Sequence, residues 1–402
     1  MRRLVLLLAV GCLLSAASAQ WLETTIYLPR SAYPMALCFN PVNNKVYCAN
    51  DVSDDVTVID GASNQILATV AAGLYPYALC YSPVNNKVYC ANQISDNITV
   101  IDGASNQVLA TVAAGMYPLD LCYNPADSKV YCANGTSHNV TVIDGTSNRV
   151  IATVAAGSAP FDLCYNPVNN KVYCANDVSN DVTVIDGASN QVLATVAAGL
   201  YPCALCYNPV NNKVYCANQI SDNITVIDGE SDQVLATVAA GSEPLALCYN
   251  PLNNKIYCAN GGSDNITVID GTSDAVLRTI SVGAVPLALC HNPEQNRVYV
   301  ANSDSFSVSV LRDSGGGIEE SRTPYASRLA PTATVVRGLL TLPSAFCTLP
   351  SDFVLLDASG RRVLSLSPGS NDVSRLAPGI YFIRPSSVSS KPLVVRKVVL
   401  AR

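Results

Sequence analysis

The sequence predicts an all-β protein, a seven-bladed β-propeller followed by a small C-terminal β-sandwich. Three observations support this prediction. The string Val-Tyr-Cys-Ala-Asn at residues 46–50 returns every 42 residues in seven in-frame copies, two of which carry one substitution. Each of the first six copies reads as four short strands. The last copy lacks its fourth strand, and an in-frame substitute stands near the N-terminus. A four-stranded unit of about 40 residues is the size of one propeller blade.

One repeat, residues 75–115, shows how the four strands are recognised. Apolar runs at residues 78–81, 87–91, 98–101 and 107–112 are separated by Gly, Pro, Asn and Asp, the residues typical of turns. No segment has a helical period. Each small sheet is apolar on both faces, so it must be covered by a neighbour on either side. A solenoid would also satisfy this need, but it would not explain the incomplete seventh copy.

The chain ends predict how the ring closes. The seventh copy supplies strands near residues 287–291, 297–302 and 306–311 and then leaves the repeat. Residues 23–28 lie 42 positions before residues 65–70, in frame with a fourth strand. We therefore expect this N-terminal strand to complete the last blade as its outermost strand.

The first 19 residues predict a secretory signal. Arg2 and Arg3 precede an apolar run at residues 4–14, and Ala17-Ser18-Ala19 is a small-residue cleavage site. A lipoprotein signal that uses Cys12 is the alternative. The apolar run is too short to span a bilayer. The mature chain is thus expected to be exported without a transmembrane segment, to the outer cell surface or the medium.

The charge of the chain excludes some partners. The formal net charge is −6, and Lys and Arg together number only 24 of 402 residues. Binding to nucleic acid requires a basic face. We therefore expect no nucleic-acid partner, and no docking on anionic lipid.

The repeated motifs resemble those of the YVTN-type β-propeller repeat. Val-Tyr-Cys-Ala-Asn is followed in each full copy by Val-Ile-Asp-Gly, and the resemblance covers residues 21–312. The family usually has valine or another small apolar residue where this chain has cysteine. The resemblance implies a seven-bladed propeller, here assigned to residues 20–312, on exported or surface proteins. It implies no single activity, because related propellers include both adhesive proteins and enzymes.

The C-terminal region resembles a second family. A Gly-rich start indicates a flexible linker at residues 313–332. Within residues 333–402, Asp-Ala-Ser-Gly-Arg at residues 357–361 and Leu-Ala-Pro-Gly-Ile-Tyr-Phe at residues 376–382 are similar to the C-terminal sorting domain of type IX secretion substrates. This resemblance implies an address tag whose partner is the secretion machinery. A general β-sandwich binding module is the alternative.

Six copies carry a pair of cysteines on adjacent strands. Export makes disulfides chemically plausible, and each would stabilise the fold by roughly 2.5–3 kcal/mol. A hairpin loop of four residues would instead place the two thiols on different faces of the sheet. Two alternatives, reduced thiols in the core and cross-strand disulfides, therefore remain open for the six pairs. These pairs are Cys38–Cys48, Cys80–Cys90, Cys122–Cys132, Cys164–Cys174, Cys206–Cys216 and Cys248–Cys258.

The sequence offers no catalytic residue, metal site or cofactor. Only two histidines occur, His138 and His291, and their positions in the repeat place them at different edges of the ring. A Ser-His-Asp or Cys-His arrangement therefore cannot form. The acidic turns lack the distal Glu of a calcium loop.

Comparison of the copies identifies one variable region, just before and at the start of the inner strand. In a propeller these positions surround one mouth of the central channel. Tyrosines at a wet rim suit the recognition of glycans or proteins, although neutral drift among duplicated blades would also produce such variation. The candidate ligand-binding residues are Tyr33, Tyr75, Tyr117, Tyr201, Asp120, Asp162 and Glu243.

These observations predict a non-enzymatic binding, adhesion or scaffold module. Its unknown ligand, a surface glycan or protein, would contact the channel-mouth face. The alternative is an extracellular lactonase- or lyase-like propeller that uses channel carboxylates with a metal.

Overall fold

The structure is a computed structural model that describes residues 26–28, 32–293 and 296–313, together with seven strands between residues 334 and 400. It divides into two compact units, residues 1–317 and 318–402. Every regular element among the described residues is a β-strand. The all-β seven-bladed propeller predicted from the sequence is confirmed for the first unit.

The first six blades are four-stranded antiparallel sheets, with the first strand of each innermost. Their strands are β1 (Pro34–Asn40), β2 (Lys45–Asn50), β3 (Asp55–Asp60), β4 (Ile66–Ala71); β5 (Pro76–Ser82), β6 (Lys87–Asn92), β7 (Asn97–Asp102), β8 (Val108–Ala113); β9 (Pro118–Asn124), β10 (Lys129–Asn134), β11 (Asn139–Asp144), β12 (Arg149–Ala155); β13 (Pro160–Asn166), β14 (Lys171–Asn176), β15 (Asp181–Asp186), β16 (Val192–Ala197); β17 (Pro202–Asn208), β18 (Lys213–Asn218), β19 (Asn223–Asp228), β20 (Val234–Ala239); and β21 (Pro244–Asn250), β22 (Lys255–Asn260), β23 (Asn265–Asp270), β24 (Val276–Ser281). Blade 7 has three described strands, β25 (Pro286–Asn292), β26 (Arg297–Asn302) and β27 (Ser307–Arg312).

The cores lie between blades, as the two-sided apolar pattern predicts. Tyr47, Val56 and Val58 of blade 1 pack against Val88 and Ile101 of blade 2, and all five side chains are buried. Equivalent clusters join every later pair of neighbouring blades up to the seventh. Apolar side chains of adjacent blades are therefore buried against each other at each of these six interfaces.

The strand directions define two faces of the ring. The hairpin face carries the β1–β2 and β3–β4 turns, such as residues 41–44 and 61–65. The loop face carries the β2–β3 turns, such as residues 51–54, and the connections between blades, such as residues 72–75.

Lysines tie adjacent blades together on the hairpin face. The Nζ of Lys45 donates to the carbonyl oxygens of Gly103 and Ala104 and to Oδ1 of Asn106, at 2.8–3.0 Å. A Cβ on Gly103 would lie only 2.5 Å from Asn86 Oδ1. The Asp-Gly turn therefore uses glycine because Asn86 of the same blade and Asn40 of the preceding blade approach it too closely for a side chain.

The asparagine of the repeated five-residue string organises the loop face. Asn50 is fully buried, and its Nδ2 donates to Asp55 Oδ1 at 2.6 Å and to Thr57 Oγ1 at 2.8 Å. The same pair of bonds recurs in blades 2 to 6. The motif is therefore a buried polar support for the β2–β3 turn.

The cysteines of the hairpin pairs are free. Leu37 lies opposite Cys48 and Cys38 lies opposite Tyr47, so the two thiols stand on different faces of the sheet. The four-residue loop produces this register in every blade. The disulfide alternative is therefore wrong for Cys38–Cys48, Cys80–Cys90, Cys122–Cys132, Cys164–Cys174, Cys206–Cys216 and Cys248–Cys258, all of whose thiols are unbonded.

The predicted closing strand is not seen where the structure describes it. Residues 26–28 are not in a strand, and residues 23–25 lie outside the described part of the chain. In blade 7, Val308 is 62% exposed and Val310 is 47% exposed, whereas Val56 and Val58 are buried at the same positions of blade 1. Val56 and Val58 pack against blade 2, so the corresponding sheet face of blade 7 is uncovered within the described residues.

The boundary between propeller and linker shifts by one residue. Asp313, predicted as the first linker residue, is buried and takes the place of the turn glycine of the other blades. Its carboxylate pairs with Lys255 at 2.6 Å and also accepts hydrogen bonds from Tyr257 and Asn250. The rest of the predicted linker and the signal segment lie outside the described residues.

The second unit contains only strands among its described residues. They are β28 (Thr334–Val336), β29 (Leu339–Leu342), β30 (Phe353–Leu356), β31 (Arg362–Leu366), β32 (Gly369–Asp372), β33 (Gly379–Pro385) and β34 (Arg396–Leu400). Five form a sheet in the order β28-β34-β33-β30-β31, and β29 pairs with β32. Two separate sheets are compatible with the predicted sandwich, whose packing stays a prediction.

Candidate functional site

The four candidate tyrosines occupy equivalent places on the loop face, each immediately before an inner strand. Their side chains are 64%, 43%, 39% and 42% exposed for Tyr33, Tyr75, Tyr117 and Tyr201. Exposed aromatic rings contribute little to the packing of the blades. Their presence is therefore not explained by the core.

These tyrosines also have a strained backbone. Their φ angles are 52°, 58°, 64° and 58°, in the left-handed region that costs a residue with a Cβ about 1 kcal/mol. Ala159, Glu243 and Val285 hold the same position in blades 4, 6 and 7, with φ between 51° and 58°.

Other left-handed positions of the repeat follow a different rule. At the three turn positions, the residues with positive φ are Asn, Asp, Ser or His, with Phe306 as the exception. Asn and Asp tolerate this conformation best among residues other than glycine. Only the position immediately before the inner strand repeatedly carries tyrosine. The preference of residues for a left-handed backbone therefore does not explain why tyrosine occurs there.

In blades 2 to 7, a hydrogen bond from the preceding blade holds the strained residue in place. The backbone N–H of Tyr75 donates to Asp54 Oδ1 at 2.9 Å, and that of Tyr201 donates to Asn180 Oδ1 at 2.9 Å. In blade 4, His138 Nδ1 accepts the same bond from Ala159 at 3.0 Å. Two adjacent blades thus fix the backbone of Tyr75, Tyr117 and Tyr201.

Asp120 and Asp162 come together on the inner strands of blades 3 and 4. Asp120 Oδ2 accepts the N–H of Leu163 at 2.9 Å, and Asp162 Oδ2 accepts the N–H of Leu205. Each carboxylate therefore also links its own inner strand to that of the next blade. The other five blades have alanine at this position.

Burial and mutual repulsion change the acidity of this pair. Burial, and then the charge of Asp162, raise the pKa of Asp120 well above its usual range, and burial raises the pKa of Asp162. Two neighbouring carboxyl groups that avoid a double negative charge can share one proton. The pair is thus able to accept a cation or to donate and accept a hydrogen bond.

Sequence reasoning missed two residues at the same mouth. Burial raises the pKa of Tyr77, with smaller contributions from Tyr117, Asp120 and Asp51. The Oδ1 of Asp51 is buried and has no hydrogen-bond partner among the described residues. The residues at both positions vary between copies of the repeat, and this variation is the sequence signal that could have identified them.

Glu243 does not join the carboxylate pair. It lies in the loop before blade 6, and its N–H donates to Asp222 Oδ1 at 2.9 Å. Among the described residues, no group of three or more His, Cys, Asp or Glu side chains is arranged to hold a metal ion. The predicted set of candidate residues thus separates into a tyrosine rim, a carboxylate pair and an isolated Glu243.

Comparison with known proteins assigns the sequence to a family. The sequence matches the YNCE-like β-propeller family over residues 8–150, 84–233 and 125–334. The chain belongs to the YNCE-like β-propeller family. No curated protein matches it.

A solved structure similar to this YNCE-like propeller is the hydrazine synthase of Kuenenia stuttgartiensis. The TM-score is 0.60 with 18% sequence identity, over 74% of this chain and 100% of the other. At this identity the similarity concerns the fold alone. In the part of the chain that the structure describes, no helix is long and apolar enough to cross a membrane.

Proposed function

We propose that this YNCE-like propeller is an exported, non-enzymatic binding or adhesion module. Its ligand, a surface glycan or a protein, contacts the tyrosine rim, defined as Tyr33, Tyr75, Tyr117 and Tyr201. The observation that carries the proposal is the display of exposed tyrosines on a left-handed backbone. These rings are partly exposed rather than packed in the core, and residues with a strained backbone concentrate at functional sites.

The chemistry of the rim fits recognition. A tyrosine ring offers an apolar face for stacking and a hydroxyl for hydrogen bonding, and it loses little conformational entropy when bound. Leu74, Met116 and Leu200 precede three of the tyrosines and are each about half exposed. Together they extend the apolar area available to a ligand on the loop face.

The test uses the full mature chain and a panel of glycans and envelope proteins. A variant with Tyr75→Ser, Tyr117→Ser and Tyr201→Ser should lose binding by at least about tenfold while its unfolding temperature stays within a few degrees or rises. A matched control replaces exposed valines of the hairpin face, Val84→Ser and Val210→Ser. Unchanged binding by the tyrosine variant would show that the tyrosine rim is not part of the binding site.

Export and surface delivery form part of the same proposal. The signal at residues 1–19 and the sorting-domain resemblance at residues 333–402 support it, with the type IX machinery as the secretion partner. Deletion of residues 333–402 should leave the propeller in the periplasm, whereas a deletion limited to the linker at residues 314–332 should not. Normal export of the truncated chain would contradict the sorting role.

An extracellular propeller enzyme is a second candidate, favoured by the Asp120–Asp162 pair. A carboxyl pair with raised pKa values is suited to proton transfer near neutral pH. Asp120→Asn should then abolish turnover in a lactone-hydrolysis or lyase screen, and metal analysis of the purified chain should find a bound ion. Ligand binding without turnover, in a protein that holds no metal, would favour the adhesion module.

A further inference from the structure

Lysines are confined to the hairpin face of the described propeller, whereas acidic residues lie on both faces, including Asp60, Asp102 and Asp144 on the hairpin face. Among residues 32–293 and 296–313, every lysine begins a second strand on the hairpin face, where it contacts the next blade. Arg149, Arg297 and Arg312 lie at the same face, and Arg278 lies within an outer strand. The loop face carries Asp51, Asp54, Asp55, Asp96, Asp120, Asp162, Asp177, Asp181, Asp222, Glu243, Asp264 and Asp304. Within these residues, the loop face is therefore acidic without compensating lysine or arginine.

The fold does not require these negative charges. Asp54, Asp96 and Asp222 each accept one backbone N–H at 2.9 Å, and Asn180 makes the same bond at the same distance. Likewise, Asp55 supports the buried asparagine of blade 1, and Asn97 does so in blade 2. An amide satisfies each structural role, so the repeat could have been neutral at these positions.

Aromatic side chains share the loop face with these acidic residues. The tyrosine rim precedes the inner strands, and Tyr77 is the second residue of β5. The buried Oδ1 of Asp51 has no donor within the described chain, and an unpaired buried acceptor is costly until a donor reaches it. Tyrosine faces also attract organic cations, and lysine or arginine gains most where water is excluded.

We propose that the loop face binds a basic segment of a protein partner through its lysine or arginine side chains. This inference rests on the proposed function and specifies the chemistry of the ligand at that face. Asp51, Asp120 and Asp162 pair with the partner's cationic side chains at the channel mouth. The rings of the tyrosine rim stack against the same cationic side chains. The wider acidic face accelerates encounter by electrostatic steering, which weakens as salt rises.

The test measures binding of fluorescent hexa-arginine and hexa-lysine peptides to the full mature chain, with hexa-glutamate as the negative probe. The loop-face variant carries Asp54→Asn, Asp96→Asn and Asp222→Asn, which keep the structural hydrogen bonds. It should associate with the basic peptides about tenfold more slowly at low salt and bind correspondingly more weakly, since three charges that steer the peptides to the loop face are removed.

A matched control removes three charges from the hairpin face, through Glu230→Ala, Asp232→Asn and Asp274→Asn. Other copies carry alanine or asparagine at these positions. This control should bind the basic peptides within about twofold of the unchanged protein. Equal losses in both variants, or an affinity that does not fall between 20 and 300 mM salt, would show nonspecific attraction and overturn the proposal.

The outcomes separate this inference from the proposed function. Binding of a neutral glycan, abolished by the tyrosine substitutions, without binding of the basic peptides would overturn the basic-partner inference and leave the rim intact. If peptide binding persists after the tyrosine substitutions but is lost in the loop-face variant, the acidic face is supported as the binding site. The tyrosine rim is then not part of that site. Stoichiometric binding of an inorganic cation that displaces the peptides would also overturn the inference.

Discussion

The buried tyrosine of the repeated string offers an internal comparison of hydrogen-bond strength. Tyr89 and Tyr215 hold equivalent, fully buried positions in blades 2 and 5. The hydroxyl of Tyr89 donates to the carbonyl oxygen of Gly145 at 3.2 Å. That of Tyr215 donates to Asp274 Oδ1 at 2.7 Å. We predict that Tyr215→Phe destabilises the protein more than Tyr89→Phe does.

The magnitudes follow from the acceptors. A neutral hydrogen bond contributes about 0.5–1.5 kcal/mol, and one to a charged group about 1.5–3 kcal/mol. Asp274 keeps its ion pair with Lys213 at 2.6 Å after the substitution, so Tyr215→Phe does not strand the carboxylate. We therefore expect about 1.5–2 kcal/mol for Tyr215→Phe, about 1 kcal/mol more than for Tyr89→Phe.

Urea unfolding of the mature chain, followed by far-UV circular dichroism, measures both costs. Two further substitutions extend the series. Tyr173 donates to Asp232 Oδ1 at 2.9 Å, and Tyr131 donates to Asn190 Oδ1 at 3.0 Å and to a backbone carbonyl. Tyr173→Phe should resemble Tyr215→Phe, and Tyr131→Phe should resemble Tyr89→Phe. Equal costs in all four variants would refute the role of acceptor charge.

Three other predictions follow from the same contacts. All fourteen cysteines of the described propeller should react with iodoacetamide in denaturant without a reductant, and a reductant-dependent mass shift would contradict the free thiols. Hydrogen bonds from Ser105 lower the pKa of Asp102, so this carboxylate stabilises the fold above its unfolded pKa of about 3.9 and loses that effect as the pH falls through its folded pKa. Ser105→Ala should therefore cost stability at pH 7 and progressively less in acid, as urea titrations would show. Asp313→Ala removes the partner of Lys255 and should cost about 2 kcal/mol, measured by thermal unfolding, whereas Asp313→Gly restores the residue of the other blades and should cost less.

The fold was predictable because its determinants are local and repeated. Turn residues at fixed offsets and β-branched runs mark four strands per copy, and the 42-residue period gives the number of blades. The register of each inner hairpin also follows from its four-residue loop. That register, once seen in the structure, decides that Cys38 and Cys48 point to different faces.

The candidate site was only partly predictable. Variation between copies identified the tyrosine rim and the Asp120–Asp162 positions, because duplicated units differ where the scaffold does not constrain them. It did not select Asp51 or Tyr77, since they lie on different blades and become neighbours only when the blades pack. The exposure of the tyrosines and their positive φ are likewise properties of the folded ring.

The sequence by itself determined the architecture, the number of blades and the turn chemistry, because these depend on spacings within one repeat. Only the tertiary structure decided which side chains meet across blades. The reason is physical: contacts such as Asp120 with Leu163, or Lys45 with Asn106, join residues 43 and 61 positions apart, and their distances depend on how neighbouring sheets pack. The separation of an acidic loop face from a lysine-bearing hairpin face becomes visible only once strand direction assigns every turn to one side of the ring.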